Sequence, residues 1–260
     1  MFQYAAGLTL ARKFDMRLNL DTSFLSRKAS GYTQRAFELD AWNITAGVDK
    51  IPRIILKHQP WLREGTNEDP FISNKPPKKS GRLMGFWQDP NIFRDIRNEL
   101  LKEFSPKSTI KFPNELVSEA QKLNSLGLHV RRGDYVSNPN ANAHHGTCDA
   151  LFYKNAAEII RSKTEITTCL VFSDDPDWVT QNLDLEFDYT AVKSDASIPA
   201  HDLWLMSLCH HHIIANSTFS WWAAWLSTRA GMTICPKQWT RKQDASAQRP
   251  KIALQQWECI

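Results

Sequence analysis

Three features are scarce in this sequence: long apolar runs, spaced pairs of cysteines and an excess of one charge. It has no secretory signal pattern at its start and no run of about 18 apolar residues, which argues against a membrane-spanning helix. We therefore expect a cytoplasmic protein that is soluble, or peripheral at the inner face of a membrane. The net charge of +4 is too small to predict a nucleic-acid partner, although it favours anionic substrates.

The five cysteines lack the spacing of a disulfide framework or a zinc site. Their number is odd, they are widely separated, and no Cys-x-x-Cys pair occurs. We therefore expect free thiols in a reducing compartment. The cysteines are Cys148, Cys169, Cys209, Cys235 and Cys259.

The second half of the sequence contains short apolar strands that alternate regularly with helices. This alternation predicts an α/β fold with a doubly wound parallel sheet. The predicted strands lie at 126–131, 168–172, 189–192, 213–215 and 232–235. The predicted helices lie at 149–163, 177–183, 203–212 and 218–229, with a loop at 137–147.

The first half is patterned less regularly, and the change occurs near residues 120–125. A chain of 260 residues is long enough for two domains, so we predict domains over 1–122 and 123–260. The elements predicted in the first domain are a helix at 1–14, strands at 17–21 and 82–87, a helix at 91–104 capped by Asp89, a helix at 113–124, a short element at 54–56 and a loop at 74–81.

Polar side chains follow three of the predicted strands, at the point where each strand ends. Because the carboxyl ends of parallel strands meet at one edge of a sheet, we expect these groups to converge. Paired arginines and the start of a helix both suit a phosphate, so together they predict a diphosphate site that needs no metal. The three groups are His129, Arg131, Arg132 and Asp134; Ser173, Asp174 and Asp175; and Asn216, Ser217, Thr218 and Ser220.

Each group also has a simpler interpretation. Arg131 and Arg132 could form surface ion pairs, Asp174 and Asp175 could be a turn with a helix cap, and Ser217 could be an N-cap. Asp202 could cap the helix at 203–212, or it could accept hydrogen bonds from a guanine ring.

Histidines and tryptophans offer further candidates. We predict that residues 210–212, three consecutive histidines on a helix, do not bind a metal, because their side chains would point in different directions. His145, together with His144, lies in the loop after the arginines and is a candidate for contact with substrate. Trp221 has helical spacing with Trp225 and is expected in the core, although it could face a ligand.

Several of these motifs resemble a known family. His129-Val-Arg-Arg-Gly-Asp-Tyr135 is similar to the His-x-Arg-Arg-x-Asp motif of α1,2-, α1,6- and protein O-fucosyltransferases. Phe172-Ser-Asp-Asp175 and Ala215-Asn-Ser-Thr-Phe-Ser-Trp-Trp-Ala-Ala-Trp225 resemble more narrowly the bacterial α1,2-fucosyltransferases of glycosyltransferase family 11. Met1-Phe-Gln-Tyr-Ala-Ala-Gly7 resembles the end of that family's Gly-Gly-Leu-Gly-Asn-Gln-Met-Phe-Gln-Tyr-Ala motif, so we expect that the first strand and its glycine loop are missing.

The resemblance implies a GT-B-like architecture of two Rossmann-like domains. It implies inverting transfer of L-fucose from GDP-fucose to the 2-hydroxyl of a terminal galactoside, without a metal or other cofactor. Residues 1–122 would bind the galactose-terminated glycan acceptor, and residues 123–260 would bind GDP-fucose.

The resemblance also assigns roles to residues. Arg131 would hold the β-phosphate and stabilise the departing GDP. Inversion also calls for a base that takes the proton of the acceptor hydroxyl; Asp134 is the first candidate and His145 the second, unless the base is absent or comes from the N-terminal half. The donor-binding residues would be His129, Arg132, Tyr135, Ser173, Asp174, Asp175, Asp202, Asn216, Ser217, Thr218, Phe219, Ser220 and Trp221.

Three other functions stay open at this point. The chain could be a catalytically silent sugar- or nucleotide-binding protein, because the glycine loop is missing. It could be an α1,6-type fucosyltransferase, although the tryptophan-rich segment fits that type less well. A sulfotransferase is a third possibility, but the sequence contains no Gly-rich loop with a Lys before a helix.

Overall fold

The computed structural model describes most of the chain and divides it into two compact units. The units are residues Met1–Ser105 and Pro106–Ile260. The described residues are 1–23, 25, 36–49, 59–73, 75, 80–107, 113–193, 199–244 and 246–260. The short element predicted at 54–56 and most of the loop predicted at 74–81 lie outside these ranges.

The described strands form three parallel sheets. In the first unit β1 pairs with β2 and β3 pairs with β4, and the second unit holds a six-stranded sheet. The strands are β1 (Asn19–Asp21), β2 (Gly47–Asp49), β3 (Trp61–Arg63), β4 (Arg82–Met84), β5 (Ser125–Val130), β6 (Thr168–Ser173), β7 (Thr190–Ala191), β8 (His211–Ile213), β9 (Thr233–Cys235) and β10 (Glu258–Cys259).

Helices follow most strands of the second unit, as expected for crossovers between parallel strands. The described α-helices are α1 (Phe2–Lys13), α2 (Pro70–Ser73), α3 (Arg97–Glu103), α4 (Asn114–Gln121), α5 (Gly133–Ser137), α6 (Pro139–His145), α7 (Ala150–Arg161), α8 (Pro176–Asn182), α9 (Pro199–Ser207) and α10 (Thr218–Leu226). Single 3-10 turns lie at Leu39–Ala41, Pro90–Ile92 and Arg94–Ile96.

The six-stranded sheet has the order β10-β9-β8-β5-β6-β7, and every neighbouring pair is parallel. The prediction of an α/β fold with a doubly wound parallel sheet is therefore confirmed. The central strand β5 is buried along its whole length, as is typical of a strand covered on both faces. One face of the sheet packs on α7 through a cluster that includes Leu126, Leu128, Tyr153, Ala156 and Ile160.

The first unit has its own buried side chains around α1. Phe2 packs edge-on against Phe93, and Tyr4 packs against Phe104. The Tyr4 hydroxyl also donates to the buried carboxylate of Glu103. Burial, followed by this hydrogen bond, raises the pKa of Tyr4 to about 12, so the phenol keeps its proton.

The division between the units lies closer to the N-terminus than the boundary predicted at residue 122. Helix α4 belongs with the second unit because its end is tied to that unit's sheet. The carbonyl of Ala120 accepts hydrogen bonds from the Ser125 hydroxyl at 2.6 Å and from the Arg229 guanidinium at 3.2 Å. The functional assignment of residues 1–122 and 123–260 stays a prediction.

Two segments differ from the prediction. The loop expected over 137–147 contains helix α6, because the Asn138 side chain caps it, Pro139 starts it and Gly146 ends it with a positive φ of 67°. The helix expected over 203–212 is α9, which begins at Pro199 and ends at Ser207. The three histidines therefore do not lie on a helix: His210 precedes β8, and His211 and His212 are in it.

Smaller differences concern element boundaries. The helix predicted over 91–104 consists of two 3-10 turns followed by α3, although Asp89 does accept a hydrogen bond from Asn91 N at 2.9 Å, as a cap would. Strand β8 begins and ends two residues earlier than the strand predicted at 213–215. Strand β10 and helix α5 were not predicted. Among the described residues no helix has the length and apolar character needed to cross a membrane.

Candidate active site

The direction of the strand order reverses between β5 and β8. From β5 the chain moves outward through β6 and β7, and it then returns to the other side of β5 to form β8. In doubly wound sheets this reversal opens a crevice at the carboxyl ends of the two central strands, where ligands bind. The segments at those ends are residues 131–135 and 216–220.

Arg131 directly follows β5, and its guanidinium lies between two carboxylates. Its Nη2 pairs with Asp134 Oδ1 at 2.5 Å, and its Nη1 pairs with Asp174 Oδ2 at 2.6 Å. The side chain is 20% exposed, so the pairs are partly shielded from water. A guanidinium carries five N–H donors, and two carboxylates do not exhaust them. The arrangement orients Arg131 and leaves donors for a further anion such as a phosphate.

Arg132 is held by the carboxylates of Asp174 and Asp175. Its backbone N–H donates to Asp174 Oδ1 at 2.8 Å, and its Nε donates to Asp175 Oδ2 at 3.0 Å. The guanidinium carbon lies 4.6 Å from the centre of the Trp178 ring, a cation–π distance. Asp175 also caps α8, and its own N–H donates to Ser173 Oγ at 3.0 Å. Residues 173–175 thus fix the orientation of both arginines.

Gly133 allows this approach of α5 to Asp174. A Cβ at position 133 would lie 3.0 Å from Cγ of Asp174 and would collide with Oδ2. A side chain here would displace the carboxylate that holds both arginines.

Tyr135 connects the arginine segment to the segment after β8. Its hydroxyl donates to the carbonyl of Asn216 at 3.3 Å, and the Arg131 guanidinium carbon lies 5.3 Å from its ring centre. The Tyr135 ring also contacts His145. The two rings are stacked, with their centres 4.5 Å apart and an interplanar angle of 2°. One side chain therefore links Arg131, His145 and the end of β8.

A second link runs between His129 and Phe219. Their ring centres are 5.0 Å apart, and the rings are tilted by 34°. His129 lies in β5 and Phe219 in the first turn of α10. Two independent contacts thus place the arginine strand beside the start of this helix, as the convergence of strand ends predicts.

Asn216 is 3% exposed and acts as a hydrogen-bonding hub. Its Nδ2 lies 3.0 Å from the carbonyl of His145 and 3.3 Å from those of Gly146 and Trp239. The thiol of Cys148 donates to its Oδ1 at 3.8 Å. Because its amide is used within the protein, Asn216 holds the His145 segment in place, and its side chain is not offered to a ligand.

Helix α10 begins beside the arginines with Ser217 as its N-cap. Ser217 Oγ accepts a hydrogen bond from Phe219 N at 3.4 Å, and Ser220 Oγ donates to the carbonyl of Ser217 at 3.3 Å. Both serines are buried, whereas Thr218 and Phe219 are half-buried. The start of a helix presents backbone N–H groups without intrahelical partners. An anion here would therefore meet backbone N–H groups and Thr218, because the Ser220 hydroxyl is used inside the helix.

Two histidines of the site are held in the neutral form. Burial, with a smaller effect of Arg131, lowers the pKa of His129 to about 3. Burial, followed by the neighbouring His144, lowers the pKa of His145 below its ordinary value. The Nδ1 atoms of both rings are buried without a hydrogen-bond partner. A neutral imidazole with an open ring nitrogen can accept a proton or a hydrogen bond from a ligand.

Trp221 and Asp202 were also predicted to bind the donor. Trp221 is fully buried, and its indole N–H donates to the carbonyl of Ile252 at 2.7 Å, so Trp221 belongs to the core rather than to a ligand-facing surface. Asp202 lies within the first turn of α9, which begins three residues earlier, and is not the residue that caps it. Its contact with a guanine ring stays a prediction.

The structure adds residues that the sequence did not point to. Trp178 stacks on Arg132, and the Asn142 side chain donates to the carbonyl of Tyr135 at 2.7 Å. Asn138 followed by Pro139 is a typical helix start, so helix α6, which carries Asn142 and His145, could have been found from the sequence. Nothing in the spacing of Trp178 distinguishes it from a core residue.

The consecutive histidines lie at the opposite end of β8 from this site. Each has a structural contact: His210 Nδ1 accepts from Asn124 N, His211 Nδ1 accepts from Met232 N, and His212 Nε2 lies 3.0 Å from the carbonyl of Met206. Within the part of the chain that the structure describes, no three His, Cys, Asp or Glu side chains are grouped so that they could hold a metal ion.

Fold and site together define a class of protein. A sheet with this strand order, two oriented arginines and a helix start at the point of reversal are typical of α/β proteins that bind a nucleotide phosphate. The model of glycosyl transferase family 11 matches residues 68–260. The chain therefore belongs to glycosyltransferase family 11 and is a glycosyltransferase, which confirms the resemblance drawn from the motifs.

Curated relatives extend the comparison over most of the chain. An O-antigen biosynthesis glycosyltransferase, WbnK, of Escherichia coli is 30% identical and covers 99% of this chain and 95% of its own length. An alpha-1,2-colitosyltransferase of Escherichia coli is also 30% identical and covers 96% of this chain and 91% of its own. The human galactoside alpha-(1,2)-fucosyltransferase 1 is 25% identical, with 87% of this chain and 62% of its own covered.

Among solved structures, the crystal structure of NodZ alpha-1,6-fucosyltransferase soaked with GDP-fucose is similar over 86% of this chain and 87% of its own. The identity is 16% and the TM-score is 0.38, which is too low to transfer any geometry.

Proposed function

We propose that this glycosyltransferase transfers L-fucose from GDP-fucose to the 2-hydroxyl of a terminal galactoside, with inversion and without a metal ion. The observation that carries the proposal is the link from Arg131 through Tyr135 to Asn216, which brings a fixed guanidinium to the start of α10. Family membership supports glycosyl transfer. The Arg131 guanidinium and the start of α10 would supply the positive charge and the hydrogen-bond donors that a sugar diphosphate requires.

The donor would be held by its diphosphate. Breaking the bond between fucose and phosphate leaves an oxocarbenium-like sugar and a diphosphate with growing negative charge. Arg131 and the backbone N–H groups of Thr218 and Ser220 would stabilise this charge on GDP. Asp134 and Asp174 hold the Arg131 guanidinium in place, so it needs little reorganisation during the reaction.

Inversion requires that the acceptor hydroxyl attack from the face opposite GDP, while a base takes its proton. Of the two predicted bases, Asp134 is ion-paired with Arg131, whereas burial lowers the pKa of His145 and its buried Nδ1 has no hydrogen-bond partner. We therefore favour His145 as the base. Residues 1–122 would bind the galactose-terminated acceptor, and a location at the inner face of the membrane remains part of the proposal.

GDP-colitose is a second candidate donor, because one of the two relatives that are 30% identical is named an alpha-1,2-colitosyltransferase. Colitose is fucose without the 3-hydroxyl, so the two GDP-sugars share every phosphate contact. The donor assignment therefore has to be measured with both sugars in competition.

The test is a panel of galactose-terminated glycans incubated with GDP-fucose or GDP-colitose, with and without EDTA, followed by linkage analysis of the product by NMR. We expect an α1,2-linked product that forms equally well with EDTA. An α1,6-linked product would refute the proposed α1,2 linkage. A preference for GDP-colitose would refute fucose as the transferred sugar. Binding of GDP-fucose without turnover on any acceptor would favour the catalytically silent alternative.

A further inference from the structure

Two thiols face each other at the edge of the large sheet. Strand β10 pairs in parallel with β9, and its Cys259 lies directly opposite Cys235. The two sulfur atoms are 3.2 Å apart, within hydrogen-bonding distance. Among the five cysteines, all of which lie in described ranges, this is the one pair with a sulfur–sulfur hydrogen bond in the structure.

The two thiols differ in exposure and in charge environment. Cys235 is fully buried, whereas Cys259 is partly exposed at the edge strand. The hydrogen bond between the two sulfurs, with smaller effects of Arg249 and Lys237, lowers the pKa of Cys259 below its ordinary value. The same hydrogen bond, together with burial, raises the pKa of Cys235. A partly exposed sulfur beside a buried thiol is the arrangement of an attacking and a resolving cysteine.

The strand geometry permits a bond between the two sulfurs. Neighbouring strands lie about 4.8 Å apart, and disulfides join Cα atoms separated by roughly 4.4–6.8 Å. Backbone hydrogen bonds already hold the pair in register: Ile260 N donates to the carbonyl of Cys235 at 3.1 Å, and Lys237 N donates to that of Ile260 at 2.8 Å. Closing the bond therefore moves side chains more than backbone.

We propose that Cys235 and Cys259 form a dithiol site that exchanges with a small-molecule disulfide and closes to an intramolecular disulfide. In the first step the Cys259 thiolate attacks one sulfur of the small disulfide, which forms a mixed disulfide and releases one thiolate. The Cys235 thiol then attacks Sγ of Cys259, and its proton passes to the second thiolate as that thiolate leaves. The protein loses two electrons and two protons, and the small disulfide is reduced to two thiols.

Closure would join the carboxyl-terminal strand covalently to the sheet. Strand β9 also pairs with β8, whose carboxyl end leads into Asn216 and α10. The site lies on the sheet that carries the proposed donor site, but none of the side chains assigned to fucosyl transfer belongs to it. Its test is therefore independent of the proposed function.

The full chain is incubated with glutathione disulfide, free thiols are blocked with N-ethylmaleimide, and the digest is analysed by mass spectrometry with and without reduction. We expect a Cys235–Cys259 cross-linked peptide that dithiothreitol removes. When the reduced protein is treated with a limiting amount of N-ethylmaleimide, Cys259 should be modified at least about tenfold faster than Cys235.

Two variants separate the steps. In Cys235→Ser the glutathione adduct on Cys259 should persist, because its resolving thiol is gone. Cys169→Ser, which removes another buried thiol, should behave like the unmodified chain. A persistent glutathione adduct on Cys259 of the unmodified chain, or oxidation of Cys148, Cys169 or Cys209 before this pair, would overturn the proposal.

Discussion

At the scale of single residues, Arg131 has the largest assigned role. Its guanidinium would be the main charged donor to the departing diphosphate, held in place by Asp134 and Asp174. We predict that Arg131→Ala lowers turnover by at least about 100-fold, the scale of removing one oxyanion donor. Arg131→Lys should recover little, because an ammonium group cannot donate to two carboxylates and a phosphate in one plane.

The control for this prediction is Arg94→Ala, which removes an arginine that is 76% exposed and pairs with Asp95 only at 3.9 Å. Turnover is measured at saturating GDP-fucose, and thermal unfolding confirms that each variant is folded. Near-normal turnover in Arg131→Ala would remove Arg131 from the mechanism.

Asn216 has a structural role at the same scale. Truncation to Ala leaves the carbonyls of His145, Gly146 and Trp239 without this donor in a buried place. We predict a loss of about 1–3 kcal/mol in the free energy of unfolding, measured by urea denaturation. Asn142→Ala, which removes the bond to the Tyr135 carbonyl and a long 3.4 Å bond from the exposed Arg241 guanidinium, should cost less. Equal losses in the two variants would contradict the role of Asn216 as a hub.

At the scale of secondary structure elements, the turn from β5 into α5 depends on Gly133. We predict that Gly133→Ala lowers turnover about tenfold to a hundredfold, because its Cβ displaces the Asp174 carboxylate that orients both arginines. Val136→Ala in the same helix is the control, since Val136 is exposed. Unchanged kinetics in Gly133→Ala would mean that the position of Asp174 does not matter for the reaction.

Strands β5 and β8 also make the protein sensitive to acid. Burial, the largest cause for each residue, lowers the pKa of His129 to about 3 and those of His211 and His212 to about 4. In the unfolded chain these groups titrate near about 6.5, so below this pH the unfolded state binds protons that the folded state does not. We predict that the free energy of unfolding falls as the pH decreases from about 6.5 towards 4.

The measurement is urea denaturation across this range of pH, with His211→Gln as a comparison. A glutamine can still accept the hydrogen bond from Met232 N but does not titrate, so the variant should show a shallower slope. A slope equal to that of the unmodified chain would contradict the contribution of His211.

The elements also show what the sequence could and could not predict. The continuous apolar pattern of β5 and the alternation after it gave the doubly wound sheet, and the parallel arrangement gave the convergence of residues 131–135 and 216–220. Side-chain partners were not predictable, because Asp174 and Trp178 reach the arginines through the packing of β6 and α8 beside β5. The misplaced start of α9 shows how easily a polar residue inside a first turn, here Asp202, is taken for the cap.

At the scale of the whole molecule, the proposed donor site lies in the second unit and would need no metal. We predict that turnover of GDP-fucose is unchanged by EDTA and is not increased by added Mg²⁺ or Mn²⁺. In the proposed site, the charge that a metal would neutralise would be met by Arg131 and by the start of α10. Loss of activity in EDTA that is restored by one of these ions would refute metal independence.

The most direct test of the account is isothermal titration calorimetry with GDP. The account predicts that the full chain binds GDP, that Arg131→Ala weakens binding roughly tenfold to a hundredfold, and that Arg94→Ala leaves it unchanged. If folded Arg131→Ala bound GDP as tightly as the unmodified chain, the nucleotide diphosphate would not lie between Arg131 and helix α10, and the central claim would be wrong.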